Sequence, residues 1–234
     1  MTFETEWRRR FERFAESYQE DYQISGWSEE GLTARLAVFT AAYERAMPAT
    51  SCRVLDLGCG PGTYGRWLCD RGDHVVGLDY SWPSLKQAQG KDGTRRNRPA
   101  YTQGEAYRLP FRAGVFDVVL CVGVLQTLSD ERQALAELTR VLKPRGLLIV
   151  DALNARGLST LVQQLSRKGG GRVVRYSPLG LRRLVRGLGY PHPHFVPVVI
   201  LPKPMGRLYP LAWRAGIFAL PLAHSFFLIA QREA

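Results

Sequence analysis

The stretch Val54-Leu55-Asp56-Leu57-Gly58-Cys59-Gly60-Pro61-Gly62 decides the fold. An apolar run interrupted by one acid passes directly into three glycines at alternate positions, and a helix-forming segment follows. Such a buried strand, tight turn and helix is the opening of a βαβ unit. The glycines let the chain turn sharply and let backbone approach a ligand closely, and open α/β sheets bind ligands at the carboxyl ends of their strands. A binding site at this loop follows.

Working outward, short apolar runs at residues 53–57, 74–78, 100–103, 116–122 and 147–150 alternate with helical stretches at 64–70, 81–89 and 130–142, the last stopped by Pro144 and Gly146. That alternation is the signature of a doubly wound, mostly parallel sheet. Upstream, residues 2–23 read as one amphipathic helix with Phe3, Trp7, Phe11 and Phe14 on one face, and residues 28–47 as a second helix, capped by Ser28 and stopped by Pro48. Downstream, residues 166–175 read as a basic glycine-rich loop, Ser177-Pro178 starts a helix, and residues 195–201 and 225–230 are strand candidates that complete the sheet. The 234 residues, 45% of them apolar, suit one domain. Within it residues 1–48 form an N-terminal helical cap, 49–152 the ligand-binding core, and 153–234 a basic, apolar region with the final strands.

Charge is distributed unevenly. The net +11 arises wholly beyond residue 154, where twelve basic residues face a single acid, Glu233. A one-sided basic segment suits an anionic partner, whether phosphorylated substrate, membrane surface or nucleic acid, although solvated charge alone produces the same pattern. Cys52, Cys59, Cys69 and Cys121 show no CxxC spacing and the N-terminus carries no apolar signal core, so we expect a cytoplasmic protein with free thiols and no metal site. Residues 202–224 are apolar and aromatic but broken by Pro202, Pro204, Pro210 and Pro221, so they lack the ~20-residue run of a spanning helix.

The spacing Gly58-x-Gly60-x-Gly62 is not the dinucleotide fingerprint GxGxxG, and no GxxxxGK(S/T) phosphate loop is present. Asp56 sits just before the turn that would otherwise cradle a pyrophosphate, which disfavours a nicotinamide dinucleotide and favours a ligand carrying an ammonium and a sulfonium. Asp79 ends the second strand 23 residues later, well placed to accept hydrogen bonds from two ribose hydroxyls.

VLDLGCGPG at 54–62, followed by VVGLDYS at 75–81, resembles motifs I and II of the class I S-adenosylmethionine-dependent methyltransferases. The resemblance continues through GEAYRLPF at 104–111, FDVVLC at 116–121 and LTRVLKPRGLL at 138–148, and is greatest for the branch that includes ubiquinone and menaquinone biosynthesis methyltransferases. It implies a Rossmann-like seven-stranded sheet with an antiparallel final strand beside the sixth, and S-adenosylmethionine as cofactor. It also implies roles. Asp56 and the Gly58, Gly60, Gly62 turn would face the methionine part, Asp79 the ribose, Tyr80 the adenine edge, Glu105 and Ala106 the adenine amino side, and the Cys121 carbonyl the ammonium. Phe11-x-x-Phe-Ala-x-x-Tyr18 is similar to the family's aromatic segment that closes over the cofactor. Glu105 stands where aspartate is commoner, and Val124-Leu125-Gln126-Thr127-Leu128 lacks a histidine pair often found there.

Methyl transfer from a sulfonium needs positioning more than a dedicated base, so none of His74, His192, His194 and His224 is assigned a catalytic role. The apolar, basic C-terminal third suggests a lipophilic small-molecule acceptor and peripheral membrane association. The alternatives are RNA, a polar small molecule, and a cofactor-binding protein without catalysis; no obligate protein partner is indicated.

Overall fold

Strand β1 (Arg53–Leu57) is buried from its second residue onward, as expected of a strand covered on both faces. Its side chains divide by parity, Leu55 and Leu57 joining one apolar cluster and Val54 the other. The same division runs through β4 (Phe116–Cys121), with Val119 and Cys121 set against Val118 and Leu120, and through β5 (Leu142–Leu153), with Leu148 and Val150 set against Leu147 and Ile149. Period-two alternation of apolar residues on both faces therefore builds two cores from one sheet.

The computed structural model describes residues 2–47, 51–157, 160, 173–200 and 220–234. Their seven strands lie in the order β3 (Ala100–Gln103), β2 (His74–Asp79), β1, β4, β5, β7 (Ser225–Gln231), β6 (His194–Val198). Strands β1 to β5 pair in parallel, with Leu55 opposite Val76 on one side and Val119 on the other. β7 lies between β5 and β6 and is antiparallel to both, placing Ile229 opposite Ile149 and Phe227 opposite Val196. This is the Rossmann-like doubly wound sheet expected from the sequence. The strand order reverses between β1 and β4, which opens a crevice at their carboxyl ends.

Helices cover both faces. α6 (Glu131–Val141) and α7 (Pro178–Arg186) contribute Leu135, Leu138, Leu181 and Val185 to one core; α3 (Glu29–Ala46) and α4 (Thr63–Asp70) contribute Phe39, Tyr43 and Leu68 to the other. Helices α1 (Phe3–Ser17), α2 (Asp21–Ile24) and α5 (Trp82–Asp92) and a 3-10 turn at Leu125–Thr127 also lie among the described residues. Thr2, Ser28, Ser81, Asp130 and Ser177 cap α1, α3, α5, α6 and α7, each side-chain oxygen accepting a backbone N–H of the first turn.

The structure departs from the sequence reading in three places. The expected helix over residues 2–23 ends at Ser17, Tyr18 is extended, and α2 begins at Asp21. The Asp21 carboxylate is held by Thr63, Arg66 and Lys91, so tertiary contacts redirect a chain whose local pattern would continue helical. β5 spans Leu142–Leu153 rather than four residues, because Phe116 already pairs with Leu142 and a register shift at Phe116/Val118 absorbs the Pro144 turn. β6 ends at Val198 rather than running to residue 201. The proposed stop at Pro48, loop residues 166–172 and insert residues 202–219 lie outside the described residues.

Candidate active site

The glycine turn is held from below by the second strand. Gly58 N–H donates to the Leu78 carbonyl at 2.7 Å, and Gly60 N–H to Asp79 Oδ2 at 2.9 Å. Asp79 Oδ1 accepts from Ser81 N–H at 2.8 Å, so a single carboxylate ties the turn after β1 to the start of α5. Gly58 has φ +69°, and a Cβ there would fall 2.1 Å from Val124 Cγ2. Only glycine serves both demands.

These elements floor a cavity of about 460 Å³. Of the residues singled out from the sequence, Gly58, Gly60, Asp79, Tyr80, Glu105 and Ala106 line it together. Asp56, Gly62, Cys121 and Tyr18 do not. Asp56 is 1% exposed near the end of β1 and Cys121 is fully buried at the end of β4. Gly62, at φ +83°, is the N-cap of α4, where a Cβ would meet the Tyr101 hydroxyl. Tyr18 is 40% exposed and packs on Phe14, with ring centroids 5.7 Å apart.

Burial governs the electrostatics of the floor. It pushes the Asp56 carboxyl up to about 7, the charge of Asp79 adding to the effect and the Gly65 backbone opposing it. Asp56 Oδ2 has no hydrogen-bond partner. Asp79 is raised by the same desolvation, opposed by the N–H groups of Ser81, Gly60 and Tyr80 and by the charge of Arg8. Two buried carboxylates beside a glycine cradle, one with an unused acceptor, create a demand for positive charge that a sulfonium-bearing amino acid nucleoside fits.

The cavity also contains residues that the sequence did not single out. From α1 come Glu4, Trp7, Arg8 and Phe11; from the other side come Trp27, Thr63, Tyr64, Val124 and Thr127. Trp7 and Phe11 belong to the apolar face of the first helix; helical periodicity alone does not show that this face covers the crevice rather than the core, and only the resemblance of the Phe11–Tyr18 segment to an aromatic lid pointed there. Arg8 donates to Glu105 and lies 5.0 Å from the Tyr80 ring centroid. The Tyr107 hydroxyl donates to Glu4 Oε1 at 2.9 Å, which also accepts from Ser129 N–H. Trp27 packs against Arg35, whose guanidinium centre lies 3.6 Å from the ring centroid. None of the four histidines lines the cavity. His224 is driven down to about 4 by burial, with the charges of Arg35 and Arg175 adding.

Residues 55–150 match the family described as "Methyltransferase domain". That segment is a methyltransferase domain, and the fold in which it sits is that of the class I S-adenosylmethionine-dependent methyltransferases. The magnesium protoporphyrin IX methyltransferase of Synechocystis PCC 6803, solved with S-adenosylhomocysteine, superposes with a TM-score of 0.68 at 18% identity, over 99% of this chain and 96% of that one.

Among curated proteins, a malonyl-[acyl-carrier protein] O-methyltransferase of Pseudescherichia vulneris is 35% identical over 153 residues, 65% of this chain and 55% of that protein. A demethylmenaquinone methyltransferase of Lactiplantibacillus plantarum is 40% identical over 106 residues, 43% of this chain and 45% of that protein. The chain thus spans about half the length of these relatives, and the two act on different acceptors.

Proposed function

We propose that the protein transfers the methyl group of S-adenosylmethionine to a lipophilic small molecule. The observation that carries this reading is the single cavity wall formed by Gly58, Gly60, Asp79, Tyr80, Glu105 and Ala106 at the strand-order reversal. Bound there, S-adenosylmethionine supplies an electrophilic methyl group on a sulfonium. The turn and Asp56 would serve its methionine part, Asp79 its ribose, and Tyr80, Glu105 and Ala106 its adenine; the Cys121 carbonyl, Gly62 and Tyr18 would support this arrangement from outside the wall, and Phe11 of the aromatic lid segment from within it.

The chain's own contribution is placement and exclusion of water. α1 covers the crevice with Trp7 and Phe11, and Trp27, Val122, Val124 and Leu128 add apolar wall beside the polar Glu4, Thr63 and Thr127. An apolar enclosure of this kind suits a greasy acceptor, presented in line with the methyl group. With no histidine at the cavity, a nucleophile that is already anionic or a carbanion-like ring carbon reacts without a protein base. Among the described residues no helix is long and apolar enough to cross a membrane, and peripheral attachment through the basic last third remains part of the proposal.

Calorimetric titration of S-adenosylmethionine and S-adenosylhomocysteine is the direct test, with Asp79→Asn and NAD as controls. Micromolar binding of both sulfur compounds, lost in Asp79→Asn and absent for NAD, supports the cofactor. Transfer of radiolabelled methyl to quinols or lipophilic phenols, in preference to RNA, supports the acceptor class. Flotation with anionic vesicles tests the membrane part.

A further inference from the structure

Arg8 projects from α1 into the cavity. Its guanidinium lies over the Tyr80 ring, 5.0 Å from the centroid, and its NH2 donates to Glu105 Oε1. Tyr80 and Glu105 are the two side chains to which the sequence resemblance gives the adenine base. A guanidinium is a flat, delocalised group with N–H donors around its rim. A face for an aromatic ring and an N–H for a carboxylate are also what adenine and its amino group present.

We propose that Arg8 is an adenine-subsite residue, a stand-in for the base that the cofactor displaces when it binds. This rests on the reading of the cavity as a cofactor site. Displacement releases α1 from the two side chains it touches there, while Glu4 continues to tie the helix to Tyr107 and Ser129. Cofactor entry is thereby coupled to the position of the helix that covers the acceptor. The Arg8 and Glu105 side chains are 40% and 60% exposed, so the contact is weak enough to exchange. An exposed ion pair together with a cation–π contact amounts to about a tenfold effect on a competing ligand.

The test is titration of S-adenosylhomocysteine, adenosine and methionine into wild type, Arg8→Ala, Arg8→Gln and Arg8→Lys. The expected result is that Arg8→Ala and Arg8→Gln bind S-adenosylhomocysteine and adenosine roughly tenfold more tightly and methionine unchanged. Arg8→Lys, which keeps the charge but lacks the flat face, should gain less. Melting curves check that each variant folds. Unchanged or weaker binding of the adenine ligands by Arg8→Ala, with wild type binding normally, overturns the proposal. An equal gain for methionine also overturns it, because that would reflect general loosening of α1. Failure of S-adenosylhomocysteine to bind wild type and every variant instead overturns the cofactor reading on which it rests.

Discussion

Asp56 and Asp79 share a buried floor, and the charge of Asp79 adds to burial in disfavouring ionisation of Asp56. Asp56 is raised from 3.8 to about 7. The folded protein therefore holds a proton between about pH 4 and pH 7 that the unfolded chain has lost, and stability falls as pH rises through that window. Urea unfolding should show this decline in wild type and a flatter profile in Asp56→Asn. A cationic ligand reverses the effect by favouring the carboxylate. Titration of S-adenosylmethionine near pH 7 in buffers of different ionisation enthalpy should then reveal net proton release, reduced in Asp56→Asn. Gly58 makes a second prediction at this scale. An alanine would meet Val124 Cγ2 at 2.1 Å and hold φ +69°, so Gly58→Ala should lower stability by about 2 kcal/mol or more. Adding Val124→Gly should relieve the clash but not the backbone strain, giving partial recovery in a thermal melt.

The elements differ in how far local sequence determined them. α3 was readable to within a residue because Ser28 caps it: Gly31 N–H donates to Ser28 Oγ at 3.0 Å. Ser28→Ala should lower unfolding free energy by about 1 kcal/mol, measured by denaturant titration, and leave cofactor affinity unchanged. β1 and β2 were equally clear, being short apolar runs that carry an aspartate at or next to their last residue. The end of α1 was not readable, because residues 18–20 carry no breaker. The break is made by Asp21 reaching Thr63, Arg66 and Lys91 from sequence positions more than 40 residues away. The same limit applied to the site. Gly58, Gly60 and Asp79 could be read from the strand ends, whereas Tyr80, Glu105 and Ala106 came from the family resemblance. Arg8 and Trp27 enter through the packing of the N-terminal helices over the crevice, and helical periodicity shows which face is apolar without showing what it covers.

At the scale of the molecule, the N-terminal cap is joined to the sheet by a buried ion pair. Arg35 of α3 and Asp151 of β5 are both fully buried, with Nε and Oδ2 3.5 Å apart; Arg35 also donates to the Gly31 carbonyl and packs on Trp27. This connects the helix layer, the centre of the sheet and the cavity wall through one side chain. Burial raises Asp151 while Arg35 opposes the rise. Removing only the cation strands a carboxylate in the core, so Arg35→Met should cost about 3–5 kcal/mol near neutral pH. The double variant Arg35→Met/Asp151→Leu should recover most of that loss, because apolar side chains of similar size leave no charge to desolvate. The loss in the single variant should also shrink as pH falls below neutral, as Asp151 takes up a proton that the folded state then holds more tightly than the unfolded chain. Denaturant melts of wild type and the two variants at neutral and lower pH separate this from simple loss of packing: the loss relative to wild type from a packing defect would be indifferent to pH and would persist in the double variant, whereas an unpaired buried charge is relieved by either change.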